Sequence, residues 1–362
     1  MRAAVVESVP GKPSIDNIHV DEPGPGEVLV RVEACGVCHS DVHSLQGHVV
    51  VFPVPFVLGH EPAGVVEGVG PGVHHVRPGD HVVACLSVFC GHCANCVVGN
   101  TQHCLRGDEF ARAADAAPRL RRGDEAVHQH CGLGGFGEFM LISQNNVVKI
   151  DDTMPLERAC LLGCGVLTGV GAVLNTAQVR EGATVAVIGC GGVGLAAIQG
   201  ARLRYATRII AIDVDDAKLE LARRCGATDV VNATRDDPVA AVQSLTNGGV
   251  DYAFEAIGRV PTAQQALAMT GRLGTTTLVG ILDLPEQLTV TGLDLVMGKT
   301  LRQSLMGSAR FMADVPRLVE HALAGRLDLD VMVSSERTLD DLPAALEELD
   351  AGEVLGRTVI VF

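Results

Sequence analysis

Gly189-Cys190-Gly191-Gly192-Val193-Gly194 stands between two apolar stretches, and no other feature of the chain leaves so few folds open. Before it Thr184–Ile188 reads as a buried strand, and after it residues 195–203 read as an apolar helix. Missing side chains at such a junction let the backbone approach a pyrophosphate at a helix N-terminus. Gly189, Gly191, Gly192, Val193 and Gly194 are therefore candidate dinucleotide contacts. The next strand-like run, 208–212, ends in Asp213, nineteen residues past Gly194. An acid there can bind both hydroxyls of an adenosine ribose and repel a 2′-phosphate, so NAD is expected over NADP. The same carboxylate could instead cap the helix near Lys218. Further strand-like runs at Asp229–Asn232, 250–254, 276–280 and 300–305 alternate with helical stretches such as 238–245 and 262–269. Six strands in that alternation predict an α/β, doubly wound parallel sheet.

Cysteines supply the second constraint. Cys90, Cys93 and Cys96 follow at three-residue steps and Cys104 comes soon after, in a loop of Gly, Asn and His rather than apolar neighbours. Four thiolates so spaced can wrap a tetrahedral ion and close its coordination sphere, which makes the expected metal structural. His92 and His103 are read as bystanders. Three more groups lie far apart: Cys38 in Cys35-Gly36-Val37-Cys38, His60 in Gly59-His60-Glu61, and Cys164 in Gly163-Cys164-Gly165. Two cysteines and one histidine are a set that a catalytic zinc uses when its fourth position stays open. Each of the three, taken alone, also reads as an ordinary core residue.

The 362 residues exceed the usual limit of one core, so two domains are expected. Residues 3–6, 28–34, 65–69 and His81–Ala84 are strand-like and separated by Pro/Gly turns, which predicts a β-rich, partly barrel-like N-terminal domain. Residues 105–130 are charged, Ala-rich and without period, and read as a surface excursion. The tail, with an amphipathic run at 342–349 and a strand-like end at 358–362, is expected to return to the first domain. A formal charge of −15 argues against nucleic acid and anionic lipid, and the short Arg119, Arg121, Arg122 run reads as a solvated loop. Met1-Arg2-Ala3-Ala4-Val5-Val6 leads into Glu7 rather than into a signal sequence, and no uncharged apolar span of about 18 residues occurs, so a cytoplasmic protein off the membrane is expected. Twelve cysteines in that compartment point to metal thiolates rather than disulfides.

Gly59-His60-Glu61 with Gly64, Gly70 and Val73, the four-cysteine lobe, Gly163-Cys164-Gly165 and the glycine fingerprint occur in one order along essentially the whole chain. In this the chain resembles the zinc-dependent alcohol dehydrogenases of the medium-chain dehydrogenase/reductase superfamily. The resemblance implies a GroES-like catalytic domain over 1–165 and 306–362 and a Rossmann NAD-binding domain over 166–305. It puts a catalytic zinc on Cys38, His60 and Cys164, with Glu61 as a nearby acid, and a structural zinc on Cys90, Cys93, Cys96 and Cys104. It implies reversible hydride transfer between an alcohol and NAD⁺, the alcohol proton leaving through Ser40 and His43. By residue type alone Ser40 is a helix-cap hydroxyl and His43 a solvated imidazole. Asp213 and Lys218 match its ribose contacts, His39 and Arg357 its pyrophosphate contacts, and Thr168, Val193 and Val279 would flank the nicotinamide.

Leu86, His130 and Met306 are expected to line the substrate pocket, His130 standing where an aromatic residue is common. Members that oxidise the glutathione adduct of formaldehyde carry an acid and an arginine where this chain has Val49 and Asp108. Primary alcohols of medium size and their aldehydes are the expected substrates. A formaldehyde–thiol adduct or a polyol is the alternative, and a non-enzymatic zinc or nucleotide-binding protein the remote one. The long stretch between Cys104 and Gly132 matches the family's dimeric members, so a homodimer is expected, with a homotetramer as alternative.

Overall fold

The computed structural model describes residues 1–48, 52–112, 116–283 and 285–362, so Val49 and the side chain of Asp108 lie outside the described residues. Two compact units divide the chain: Met1–Cys164 with Arg310–Ala324 and Val333–Phe362, and Gly165–Ala309 with Gly325–Met332. Thus 306–309 and 325–332 belong to the second unit, whereas the sequence reading gave everything after 305 to the first.

The first unit is built on strand Glu27–Gly36. Its alternate residues Val28, Val30 and Val32 enter a core with Val66, Val82, Ala84, Met140 and Ile142, while Arg31 stays exposed, the period of two that a half-buried strand requires. Antiparallel partners Pro62–Val69, Phe139–Ser143 and Arg357–Val361 flank it, so the C-terminal strand completes the sheet begun near the N-terminus. A second sheet runs in the order Pro13–Asn17, Arg2–Val6, Phe56–Val57, Glu125–Gln129, Leu120–Arg122, His19–Val20.

That second sheet corrects the reading of 105–130. Its later half is sheet, with Leu120 and Val127 buried against Ala3, Val5 and Val57. With one inward residue in each short strand, no period could show. Two of the three arginines there are paired as well: Arg119 reaches Glu27 at 2.7 Å, and Arg122 bonds Glu7, Asp16 and Glu125. Helix Phe311–Leu323 was also not read from sequence, because Pro316 sits inside it. Its face of Phe311, Val315, Leu318 and Val319 is buried.

In the second unit six parallel strands stand in the order Asp229–Asn232, Arg208–Asp213, Thr184–Ile188, Val250–Glu255, Thr270–Leu278, Thr300–Gln303. This is the doubly wound sheet expected, with the strand order reversing beside Thr184–Ile188, whose C-terminal end carries the glycine loop. Among the described residues no single helix is long and apolar enough to cross a membrane.

Candidate active site

Cys38 ends the run-out of strand Glu27–Gly36 and is the N-cap of helix His39–Gln46. The third helical residue, Asp41, is buried and accepts the Cys38 N–H with Oδ2 at 3.0 Å, closing a capping box. Its other oxygen, Oδ1, accepts from His60 Nδ1 at 2.8 Å. Burial opposes the ionised form of Asp41, but His60 and His130 outweigh it and hold the carboxyl below its usual range. An ionised carboxylate only accepts, so the His60 proton sits on Nδ1 and the Nε2 lone pair is bare. That Nε2 is buried and has no hydrogen-bond partner among the described residues.

The flanking glycines are dictated by space. Gly59 has φ +100°, and a Cβ on it would lie 2.5 Å from the Phe136 nitrogen. A Cβ on Gly163, next to Cys164, would lie 2.4 Å from the Ala84 carbonyl oxygen. With both turns closed, donor atoms of Cys38, His60, Glu61 and Cys164 come within 4.8 Å of one another, all buried. The Cys164 thiol beside it, with Arg357 and His60, pushes Cys38 well below the usual thiol range despite burial. A buried thiolate, a second thiol and an orphaned imidazole nitrogen fit a zinc ion with its fourth position open.

Glu61 and Arg357 are joined. The buried Arg357 guanidinium donates to the Glu61 carboxylate, which fits only because Gly36 has no Cβ: one there would meet Oε2 at 2.3 Å. Arg357, expected on a pyrophosphate, stands beside the two cysteines and supplies positive charge there. Ser40 is exposed on the first helical turn, its Oγ 3.8 Å from Cys38 Sγ, and His43 follows one turn on, half-buried, with its ring 6.4 Å from that of the exposed His39.

His130 is corrected most. It was expected as a pocket wall, but it is 1 % exposed and lies behind His60, with Nε2 2.8 Å from Ser44 Oγ and Nδ1 3.3 Å from Asp41 Oδ1. Leu86 is half-buried against the barrel core. Asp41 was the residue missed. An acid three positions after an N-cap is a visible capping signal, but nothing local says that His60 shares it.

In the cysteine lobe, donor atoms of Cys90, Cys93, Cys96 and Cys104 again lie within 4.8 Å of one another. Backbone N–H groups point at the sulfurs: Cys93 and His92 donate to Cys90 Sγ at 3.2 and 3.5 Å, Cys90 and Arg106 to Cys104 Sγ at 3.3 and 3.4 Å. The N–H groups of Leu105 and Cys96 draw Cys93 below the usual thiol range. Such donors stabilise thiolates, and four of them suit a closed zinc site.

In the second unit Gly191 caps helix Gly192–Leu203. Gly189 has φ +92°, and a Cβ on Gly194 would lie 1.7 Å from the Gly189 carbonyl oxygen. A Cβ on Gly191 would meet nothing within 4 Å, which leaves an open approach to the helix N-terminus, as a pyrophosphate requires. Asp213 closes the loop from the next strand, accepting the Cys190 N–H at 2.7 Å and the Val214 N–H at 2.8 Å. Lys218 is half-buried on the helix that follows. Thr168 donates toward Met306 Sδ at 3.8 Å, and next to it Gly169 packs on the Val193 carbonyl, where a Cβ would come within 2.2 Å. Val279 is buried, its N–H on the Glu255 carbonyl oxygen at 2.7 Å. The residues expected around a dinucleotide thus share one unit, except His39 and Arg357.

Comparison with known proteins agrees with both halves. Residues 24–152 match the alcohol dehydrogenase GroES-like domain and residues 192–324 the zinc-binding dehydrogenase domain. An S-(hydroxymethyl)glutathione dehydrogenase of Escherichia coli O1:K1 is 39% identical over 364 residues, covering 99% of this chain and 98% of that one. The crystal structure of an alcohol dehydrogenase zinc-binding domain protein from Burkholderia ambifaria superposes with a TM-score of 0.95 at 36% identity, covering 100% of this chain and 98% of that one. Benzyl alcohol dehydrogenase from Acinetobacter calcoaceticus gives 0.93 at 32%, covering 100% and 99%. Zinc and NAD are accordingly its cofactors. The chain belongs to the zinc-dependent alcohol dehydrogenases of the medium-chain dehydrogenase/reductase superfamily.

Proposed function

We propose that the protein interconverts a primary alcohol, and in some cases a secondary one, with its aldehyde or ketone, using NAD⁺/NADH. The observation that carries this reading is the buried Nε2 of His60, without a partner among the described residues, beside Cys38 and Cys164. Cys38, His60 and Cys164 hold the catalytic ion, and Cys90, Cys93, Cys96 and Cys104 the structural one. When bound, the catalytic zinc supplies a Lewis acid that makes the alcohol acidic, and the nicotinamide supplies the hydride acceptor. Ser40 takes the alcohol proton and His43, one helical turn further and half-exposed, carries it to water. Arg357 balances the negative charge of Glu61 and the thiolates. Asp213 and Lys218 bind the adenosine ribose, and the carboxylate favours NAD⁺ over NADP⁺.

A second reading, oxidation of an S-(hydroxymethyl) thiol, is favoured by the relatives of that name. Against it stand Val49 and Asp108 in place of an acid and an arginine. The deciding experiment follows NADH absorbance with primary and secondary alcohols, polyols and S-hydroxymethyl thiols, with zinc counted on the same sample. Turnover of simple alcohols with two ions per chain supports the first reading. Turnover confined to thiol adducts supports the second. No turnover with both ions bound sinks both and sends the search to a binding role. The cysteine chemistry suits a reducing compartment, and we place the enzyme in the cytoplasm.

A further inference from the structure

Resting on the reading of His60 as a zinc ligand, we propose that His130 is a positioning residue: anchored by Ser44, it gives Asp41 a second imidazole donor and so fixes the carboxylate that orients His60. Four observations converge. His130 is 1 % exposed, so its nitrogens depend on protein partners. Its Nε2 lies 2.8 Å from Ser44 Oγ, and Ser44 is on the same helix as Asp41, one turn away. Its Nδ1 makes no well-aligned hydrogen bond but faces Asp41 Oδ1 at 3.3 Å, the oxygen that already accepts His60 Nδ1. Finally, the ring stands edge-on to His60, with centroids 5.4 Å apart and planes at 87°, and also packs against Phe52 at 4.8 Å and 83°.

Proton bookkeeping makes the chain consistent. Asp41 can only accept, so each imidazole must present Nδ1–H to it, and the Ser44 hydroxyl, whose one proton goes to the Ser40 carbonyl oxygen at 2.9 Å, accepts from His130 Nε2–H. His130 then carries a proton on each nitrogen, and His60 keeps the Nε2 lone pair that a metal requires. Removing His130 would leave a buried carboxylate one donor short and free to turn away from His60. Partners behind a metal-ligating histidine commonly matter by about 10–100-fold in metal affinity.

The test compares His130→Phe, which keeps a flat ring but no nitrogen, with His130→Asn, whose amide nitrogen stands near the position of Nδ1. Ser44→Ala removes the anchor, together with the hydroxyl's bond to the Ser40 carbonyl oxygen. Zinc affinity is measured by chelator competition on the full chain, with the four-cysteine site as internal reference, and the geometry is read from the absorption spectrum of the cobalt-substituted protein. His130→Phe is expected to lower affinity at the Cys38/His60/Cys164 site by about 10–100-fold and alter the cobalt spectrum, without touching the four-cysteine site. His130→Asn should recover most of the loss, and Ser44→Ala should show a smaller one. Wild-type affinity in His130→Phe overturns the proposal. So does equal loss at both sites with a lower melting temperature, which would mean a folding role only. A wild-type chain that holds no ion at Cys38, His60 and Cys164 would instead sink the functional reading beneath it.

Discussion

Asp41 closes a helix cap with one oxygen and orients a ligand with the other, so the start of helix His39–Gln46 and the direction of His60 depend on one side chain. Asp41→Asn is expected to cost about 10–100-fold in zinc affinity at that site, measured by chelator competition, since a neutral amide supports Nδ1–H poorly. Cys38→Ser replaces a depressed thiol with a hydroxyl that does not ionise near neutrality. Turnover should fall about 10³-fold or more, while NAD⁺ binding, followed by fluorescence titration, persists. Near-normal turnover in that variant would falsify the zinc mechanism. Cys90, Cys93, Cys96 and Cys104 stood out in sequence by their spacing, and Cys38, His60 and Cys164 by the family resemblance. Asp41, Ser44 and His130 did not, because the Ser44–His130 contact joins residues 86 apart.

Loops and strands separate the legible from the hidden for the same reason. The strands Thr184–Ile188 and Arg208–Asp213 are largely apolar, and the glycine loop between the first of them and its helix sits where the change of period demands it, so both could be read residue by residue. Gly194→Ala and Gly191→Ala make a paired test. The first forces a methyl to 1.7 Å from the Gly189 oxygen and should destabilise the protein by about 3 kcal/mol, read by thermal melting. The second meets no protein atom within 4 Å, so melting should hold while NAD⁺ affinity drops. A Gly191→Ala chain that binds NAD⁺ normally would move the pyrophosphate elsewhere.

In the segment after the cysteine lobe, charge acts beside the burial of Leu120 and Val127. Arg112 and Arg119 converge on the buried Glu27, Arg112 also reaching Asp21. Burial alone would raise the Glu27 carboxyl, but the two guanidinium groups bring it from 4.5 down to about 2. A depressed carboxyl contributes stability that is present in full above its unfolded value and lost as pH falls through its folded one. Melting temperature should therefore drop between about pH 4.5 and 2, and Glu27→Gln should flatten that limb at a cost of about 2–3 kcal/mol near neutrality.

At the scale of the whole molecule, Thr300–Gln303 ends the parallel sheet with all four residues exposed, and the nearby helix Gly292–Val296 has no buried residue and exposes Leu293, Leu295 and Val296. An uncovered apolar edge invites a second strand, and two copies of one strand can pair about a two-fold axis. We propose a homodimer through this edge. Light scattering should give twice the chain mass, and Leu301→Lys should shift it to monomer; a wild-type tetramer or monomer would refute the proposal.

By itself the sequence determined the two architectures, the glycine loop and the four-cysteine lobe, because each is written in spacings within one turn, strand or loop, whereas Cys38, His60 and Cys164 lie far apart and were joined through the family resemblance. Tertiary structure alone decided which side chains stand behind them. It set His130 on Asp41 rather than on a pocket wall, and Arg357 on Glu61 across 296 residues. Those choices turn on burial, which leaves an ionised or polar group no partner but the one the fold brings to it, and burial is a property of the folded chain.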